Sequence, residues 1–489
     1  MASEIRTLGR HAVVYGAGIA VGRLAGFIML PIYTSYLTEG DYGTLQLLTL
    51  TVDFLGTIAS AGVAGAVYKF YTDAETQADK NGVISTASLM LMAFTGVLAI
   101  SGALAAPVLS SVVLGENGDA QYFRLFFVIY FLQSAESIPL LHMRARQRSG
   151  VFALTNVVRL IVALGLNVYF VVFQDLGILG VLYSSLITGM LFATGLLVHQ
   201  FREVGTRFVR ANARALARFG APLVPWTLSN FLIVFSDRYF LRIFSGDAAV
   251  GVYSLAFRFT MLLHAFGFRP FQLVWGPQRF EVARRPDGLA TIRRLFRYLN
   301  IVLGFMALVI ALFAGDLIRI MARRPGFHEA ANLIPIMVGA QILYHLVSFP
   351  NLSMLITERT KIMGRLALLV GAMVLALNFA LIPRYGMYGA AYATLIAYAL
   401  RFLIVLAVGQ RVHRFEYGWR RIALIYLVLA VPFTLKLLLP TGALVASIGV
   451  STALAALGAV GLYALVLSED ERRIVRAFPA HALGRLRRQ

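Results

Sequence analysis

Nine cationic side chains belong to apolar runs long enough to cross a bilayer and not to the connections between them: Arg23, Arg124, Arg159, Arg238, Arg258, Arg269, Arg319, Arg401 and Lys436. A charge in hydrocarbon is costly unless it is paired or hydrated, so each is a candidate functional group. Arg124, Arg319, Arg401 and Lys436 lie near the ends of their runs, where a long side chain can snorkel to the headgroups. Arg23 sits in the middle of the first run, beside Gly18, Gly22 and Gly26. Glycines at every fourth position suit close helix packing, which leaves the arginine unexplained. Arg258 and Arg269 are eleven residues apart, nearly the same face of an α-helix, and Pro270 predicts a kink just after. Arg159 is one turn from Asn156, and Arg238 adjoins Asp237.

Acids inside the runs are fewer; Asp53, Glu136 and Asp237 are among them. Asp53 belongs to a stripe with Gln46, Thr49, Thr57 and Ser60, at steps of three and four, which predicts one polar helix face. That face either lines a wet cavity or bonds its own backbone. Asn230 lies seven residues before Asp237, and another run carries Gln341, His345 and Ser348. His345 reads as a packed histidine before it reads as a proton carrier. Arginine stays charged and offers forked donors that match phosphate. The balance therefore favours an anionic ligand held by Arg23, Arg258, Arg159 and Arg269, with Asp53, Gln46, Thr49 and Asn230 beside them. The competing reading pairs each arginine with an acid, such as Arg23 with Asp53 and Arg238 with Asp237; it cannot cover Arg23, Arg159, Arg258 and Arg269 together.

These groups must be carried by membrane helices. Of 489 residues, 59% are hydrophobic and 14% charged, with a mean hydropathy of +0.76; soluble domains average about 25% charged. The chain is therefore an all-α polytopic membrane protein. A crossing needs about 20 apolar residues, and fourteen runs qualify: 11–36, 42–68, 83–112, 121–143, 150–173, 178–201, 219–244, 250–277, 297–320, 331–356, 362–382, 387–408, 422–439 and 444–467. Of the 44 Lys and Arg, 31 fall in connections on the side of the N-terminus and four in those on the other side. The positive-inside rule puts both termini in the cytoplasm. It also assigns the +21 net charge to lipid-facing loops, with no nucleic-acid partner. Arg6 and Arg10 precede the first run without a small-residue cleavage pattern, so that run serves as its own insertion signal. With no cysteine, disulfides and thiolate metal sites are excluded.

The chain repeats weakly. LGILGVLYSSLI (176–187) matches YGMYGAAYATLI (385–396) at an offset of 209. Pro139, Met143, Arg148 and Asn167 recur as Pro350, Met354, Arg359 and Asn378 at 211, and Gly43 recurs as Gly251 at 208. The offset spans six crossings, an even number, so the repeat is parallel. This predicts an N-lobe at 1–201, a basic linker at 202–218, a C-lobe at 219–408, two accessory spans at 409–467 and a basic tail at 468–489. Two lobes about a midplane cavity is transporter architecture, and no catalytic constellation suggests an enzyme.

The opening RHAVVYGAGIAVGRLAGFIMLPIYTSYLTEGDYGTLQLL and the G-x-x-G-x-x-Y-x-[ST]-L-I blocks at 177–187 and 386–396 resemble bacterial polysaccharide transporters. These belong to the multidrug/oligosaccharidyl-lipid/polysaccharide exporter superfamily, and the resemblance is nearest to its O-antigen-type lipid-linked oligosaccharide flippases. It implies two six-helix lobes in a parallel pseudo-twofold repeat, plus two accessory helices, enclosing a cationic cavity. It implies that a polyprenyl-pyrophosphate-linked glycan moves from the cytoplasmic to the outer leaflet of the bacterial inner membrane by alternating access. The product would feed lipopolysaccharide or exopolysaccharide assembly, with a polysaccharide polymerase and glycosyltransferases as partners. A related peptidoglycan-precursor flippase uses arginines in its first and eighth spans for pyrophosphate, and Arg23 and Arg258 occupy comparable places. No cofactor is expected; Na+ or H+ coupling would fall to Asp53, Glu136 or Asp237. The alternatives are a peptidoglycan-precursor flippase and a multidrug or cation antiporter. Antiporters of the superfamily typically carry a carboxylate in the first span, and residues 11–36 have none.

Overall fold

The computed structural model describes residues 27–60, 62–115, 118–439, 442–469 and 471–473. Every regular element among them is helical. In chain order they are α1 (Leu30–Tyr36), α2 (Glu39–Ala59), α3 (Val63–Asp73), α4 (Gln77–Leu104), α5 (Ala106–Val113), α6 (Ala120–Ala145), α7 (Ser149–Asn167), α8 (Gly177–Val204), α9 (Arg210–Gly220), α10 (Val224–Leu262), α11 (Arg269–Arg284), α12 (Gly288–Met321), α13 (Ala330–Leu346), α14 (Pro350–Ile356), α15 (Thr360–Val412), α16 (Trp419–Leu438) and α17 (Leu444–Gly461). Wider π turns extend α7 over Val168–Phe173, join α10 to α11 over Leu263–Phe268, and end α17 over Leu462–Val466.

Ten stretches among the described residues are long and apolar enough to cross a membrane. Two of them, Thr227–Gly276 and Lys361–Val412, have 50 and 52 residues. At about 1.5 Å per residue each would reach ~75 Å, far beyond a ~30 Å hydrocarbon core. Glycines resolve the conflict. Gly246 (φ 84°) and Gly386 (φ 53°) break the helices inside these stretches in conformations that a side chain would strain. The expected run 42–68 is likewise two helices, parted at Gly62 (φ 67°). Proline divides two others, Pro107 starting α5 and Pro350 starting α14. The linker 202–218, read from sequence only as a basic connection, holds most of the amphipathic α9, which runs on to Gly220: Arg210, Arg214 and Arg218 are exposed, while Leu216 packs into a cluster with Val67, Ile84 and Leu141.

The chain divides into two compact units, Met1–Ser254 with Met321–Phe327, and Leu255–Ile320 with His328–Gln489. In the first unit, α4, α6 and α8 form the packed centre. Gly102 admits the Phe127 ring, and Gln200 on α8 donates to the Ser88 hydroxyl at 2.6 Å. The start of α2 crosses the segment after Gly246 at two glycines. A Cβ on Gly43 would lie 2.0 Å from the Asp247 carbonyl oxygen, and one on Gly251 would lie 2.0 Å from that of Glu39. The two contacts are reciprocal, and the glycines are the repeat-related pair.

In the second unit, α16 and α17 dock on α12. Leu429 fits over Gly304, Leu308 fits against Gly458, and Tyr426 donates to Asn300 Oδ1 at 2.9 Å. Lys436, expected to snorkel, instead donates to Ser447 Oγ and Ser451 Oγ at 2.9 Å, and Ser451 Oγ lies 3.2 Å from Asp316 Oδ2. Two serine hydroxyls, one of them bonded to a buried acid, give the ammonium a better environment than the headgroups.

The repeat is written in the backbone. Gln147 and Glu358 both take φ 56°, and Gly177 and Gly386 both take φ 53°. Gly180 lies against the Phe170 carbonyl as Gly389 lies against that of Leu381. Side chains that rarely enter the left-handed region do so here at matched positions.

Candidate substrate-binding site

Arg23 lies outside the described residues, as does the Gly18–Gly26 stripe. The remaining candidates fall in both units.

In the first unit the polar stripe of α2 is its least covered face. Gln46, Thr49, Thr57 and Ser60 are half-buried and Asp53 is exposed, while Leu45, Leu47, Leu48, Val52 and Gly56 between them are buried. Both readings of the stripe hold in part. Thr49 and Thr57 donate to the carbonyls of Leu45 and Asp53 at 2.7 and 2.8 Å, which leaves Asp53 and Gln46 as the open polar groups. The Tyr130 and Tyr239 hydroxyls are within electrostatic reach of Asp53, and Tyr239 also shares a 3.0 Å hydrogen bond with Thr51. Asn230 is half-buried on the first half of α10, next to Phe231, whose ring contacts Phe54 at 5.3 Å.

Two of the ion pairs in the same unit involve candidate residues. Arg159 Nη2 on α7 lies 3.1 Å from Glu136 Oε2 on α6. The carboxylate side chain is 2% exposed and the arginine 32%. Among the described residues Glu136 Oε1 and Arg159 Nε are buried without a hydrogen-bond partner, so within them the pair still has bonding capacity. Asp237 and Arg238 are more fully committed. Asp237 Oδ1 accepts from Arg238 Nη1 at 2.6 Å, and its Oδ2 accepts from Tyr253 at 2.6 Å. Arg238 also donates to the Val234 carbonyl and lies over the Phe235 and Tyr253 rings. This knot is buried and holds α10 to itself across the Gly246 break.

In the second unit Arg258 and Arg269 are both half-buried. The π turn Leu263–Phe268 separates them. Its wider winding means that the same-face argument from α spacing does not carry over, and the bend expected at Pro270 has the π turn as its companion. Arg269 forms no ion pair or hydrogen bond among the described residues. The π turn also directs His264 and Phe268 at His345, with ring centroids 5.1 and 4.2 Å away. His345 is packed, as expected, but its Nε2 is buried without a hydrogen-bond partner among the described residues. Trp275, Phe271, Phe349 and Phe296 continue the ring stack. Arg401 lies over the Tyr344 ring at 5.1 Å, so an aromatic face meets that cation. Sequence spacing did not signal this stack, because its rings come from four helices; the one local clue was the apolar–aromatic crowding around Pro270.

The chain thus presents membrane-length helices, glycine-broken hairpins and midspan arginines. It matches the family model described as polysaccharide biosynthesis protein over residues 8–281. The chain belongs to that family. Members of the curated protein set give no match. Among solved structures the chain is similar to the lipid II flippase MurJ in an inward closed conformation, at 12% identity and a TM-score of 0.71, covering 92% of this chain and 99% of that one. It is also similar to an inward-facing multidrug resistance MATE family transporter of the MOP superfamily, at 16% identity and a TM-score of 0.63, covering 81% and 97%. At these identities the likeness is one of fold. Family and fold together make this a multi-pass membrane protein of the polysaccharide biosynthesis family, with the fold shared by those two structures.

Proposed function

We propose that the chain is a flippase that carries a polyprenyl-pyrophosphate-linked oligosaccharide from the cytoplasmic to the outer leaflet of a bacterial inner membrane, by alternating access, for lipopolysaccharide or exopolysaccharide assembly. One observation carries the reading: a member of a polysaccharide biosynthesis family consists, over its described residues, of membrane helices bearing arginines at midspan. Arg258, Arg269 and Arg159, with Arg23, supply the charge for a pyrophosphate, and Asp53, Gln46, Thr49 and Asn230 supply polar partners for sugars. Coupling to Na+ or H+ falls to Asp53, the exposed acid, or to Glu136; Asp237 is the third candidate. A negative-inside potential assists outward movement of an anion by about 2.3 kcal/mol per charge at 100 mV.

The proposed topology has fourteen spans with both termini cytoplasmic. The ten membrane-length stretches become twelve when Gly246 and Gly386 divide the two longest. The α2 helix and the run 11–36 complete the set. The lobes are 1–201 and 219–408, with 409–467 accessory. Membrane lipids, a polymerase and glycosyltransferases are the proposed partners.

The test is complementation of a strain lacking its own flippase. Arg258→Ala and Arg269→Ala together should abolish surface glycan at matched expression, and undiminished glycan would refute the assignment. Rescue of peptidoglycan synthesis instead would identify a peptidoglycan-precursor flippase. Cation-dependent drug resistance would identify an antiporter.

A further inference from the structure

The second unit holds a cavity of about 720 Å³ whose lining includes Arg293, Arg294 and Arg297 from α12, Arg420 and Arg421 from α16, and Glu471 after α17. The three helix ends belong to membrane-length stretches: α12 and α16 begin here, and the α17 π turn ends here. The cavity therefore lies at a membrane boundary. Trp419 and Tyr417 are also in its wall, their rings 5.6 Å apart and both packed on Phe296. Tryptophan and tyrosine mark headgroup depth.

The charges divide into a fixed part and a free part. Glu471 accepts from Arg297, from the Tyr298 hydroxyl at 2.7 Å and from the Ser468 backbone at 2.9 Å. That anchor buries Arg297 and holds the C-terminal segment in place. Arg293 reaches Glu416 only at 3.5 Å, both largely exposed, a contact worth little. Arg294, Arg420 and Arg421 are exposed and form no ion pair or hydrogen bond among the described residues. Five guanidinium groups thus face two carboxylates. The α16 N-terminus adds to them: its cap, Gly418 (φ 68°), and its first residues Trp419 and Arg420 line the cavity, there is no side-chain cap, and the N–H groups before Arg421 have no intrahelical partner. Arg420 and Arg421 are themselves in that turn, where the helix dipole opposes cations; a design for stability alone would put acids there.

We propose that this cavity binds the phosphate-bearing headgroup of a lipid, with its acyl chains along the exposed apolar flanks of α16 and α17, where Leu427, Val431 and Val460 are open. Forked guanidinium donors, free helix N–H groups and aromatic walls at headgroup depth match a phosphate ester at the interface. The excess of basic residues makes this the cytoplasmic leaflet. The site is independent of the midspan arginines and of the transport reading.

The experiment titrates the detergent-solubilised full chain with phosphatidylglycerol and counts bound lipid by native mass spectrometry. Arg420→Gln/Arg421→Gln should raise the half-saturation concentration about tenfold, and Arg294→Gln about threefold. The control Arg411→Gln/Arg414→Gln removes the same charge from nearby exposed positions outside the cavity and should leave it unchanged. Phosphatidylcholine should bind far more weakly. Displacement by inorganic pyrophosphate supports phosphate as the recognised group and a phospholipid as its source. Pyrophosphate binding without phosphatidylglycerol binding keeps the phosphate site but makes a diphosphate the source. Equal weakening by both double variants means diffuse surface charge, and wild-type binding by Arg420→Gln/Arg421→Gln means no site; either overturns the proposal. Glycan display in complementation is scored separately, so failure here leaves the transport reading standing.

Discussion

The two copies of the repeat share their turns and differ in their charges. Gln147 and Glu358 take the same left-handed conformation, as do Gly177 and Gly386. At the offset of 211, however, Glu136 and Arg159 correspond to Val347 and Val370, both buried. One copy spends a cation and an acid where the other places two valines. Arg148 shows the same divergence. It grips Glu203 with both arms, at 3.1 and 2.7 Å, whereas at the same offset the position matching Glu203 is Arg414. The scaffold evidently stands without the Glu136–Arg159 pair. A buried pair is weak evidence for stability in any case, so its presence in one copy is not explained by the shared scaffold.

The largest expected effect breaks this comparison directly. Arg159→Val leaves Glu136 buried without a counter-charge and should cost about 3 kcal/mol, reduced somewhat because the arginine is partly exposed. Glu136→Val/Arg159→Val, which copies the second repeat, should recover most of that loss. Thermal unfolding in detergent measures both. A stable double variant that still displays glycan would assign the pair to neither fold nor transport.

The next effect concerns the glycine crossing. Gly43→Ala and Gly251→Ala each drive a methyl group into a backbone carbonyl and should cost about 2 kcal/mol apiece. Their double variant should cost less than the sum, since one separation relieves both clashes. Strict additivity would separate the two contacts.

A smaller effect sharpens the match between copies. Gln147→Gly and Glu358→Gly should each stabilise by up to about 1 kcal/mol, by relieving the left-handed strain, and by equal amounts. Unequal values would show that the turns are alike in angle but not in surroundings.

The smallest is a pH effect outside the repeat. Burial alone would raise the Glu471 carboxyl, but hydrogen bonds from Tyr298 and Ser468 and the Arg297 charge outweigh it and hold it below the ordinary glutamate value. The group's stabilisation is therefore complete above its unfolded value of about 4.3 and is lost as pH falls through the lower folded value. Between pH 6 and 3 this should lower the melting temperature by roughly a degree or two, and Glu471→Gln should remove that component. An unchanged slope in the variant would discount the anchor.

Much of the fold was legible because membrane helices announce themselves through apolar length, and the repeat through Gly, Pro and Arg at fixed offsets. The breaks at Gly62 and Pro350 were not, since each falls inside a continuous apolar run. Of the site, the α2 stripe was readable because three- and four-residue steps stay on one helix. The Glu136–Arg159 pair, the His345 ring stack and the Lys436–Ser451–Asp316 contact each join separate helices, and one-dimensional spacing carries no information about such meetings. Lys436 is instructive: proximity to a span end suggested escape to water, but two serines on α17 and an acid on α12 offered a nearer destination.

The crossing at Gly43 and Gly251 consists of main chain alone. The touching atoms themselves neither titrate nor rotate about χ1, but the carbonyls belong to Glu39 and Asp247, and Asp247 pairs with Arg242 beside them. Acidity and ionic strength reach this joint only through those side chains; whatever loosens it must do so by moving the two rods that meet there.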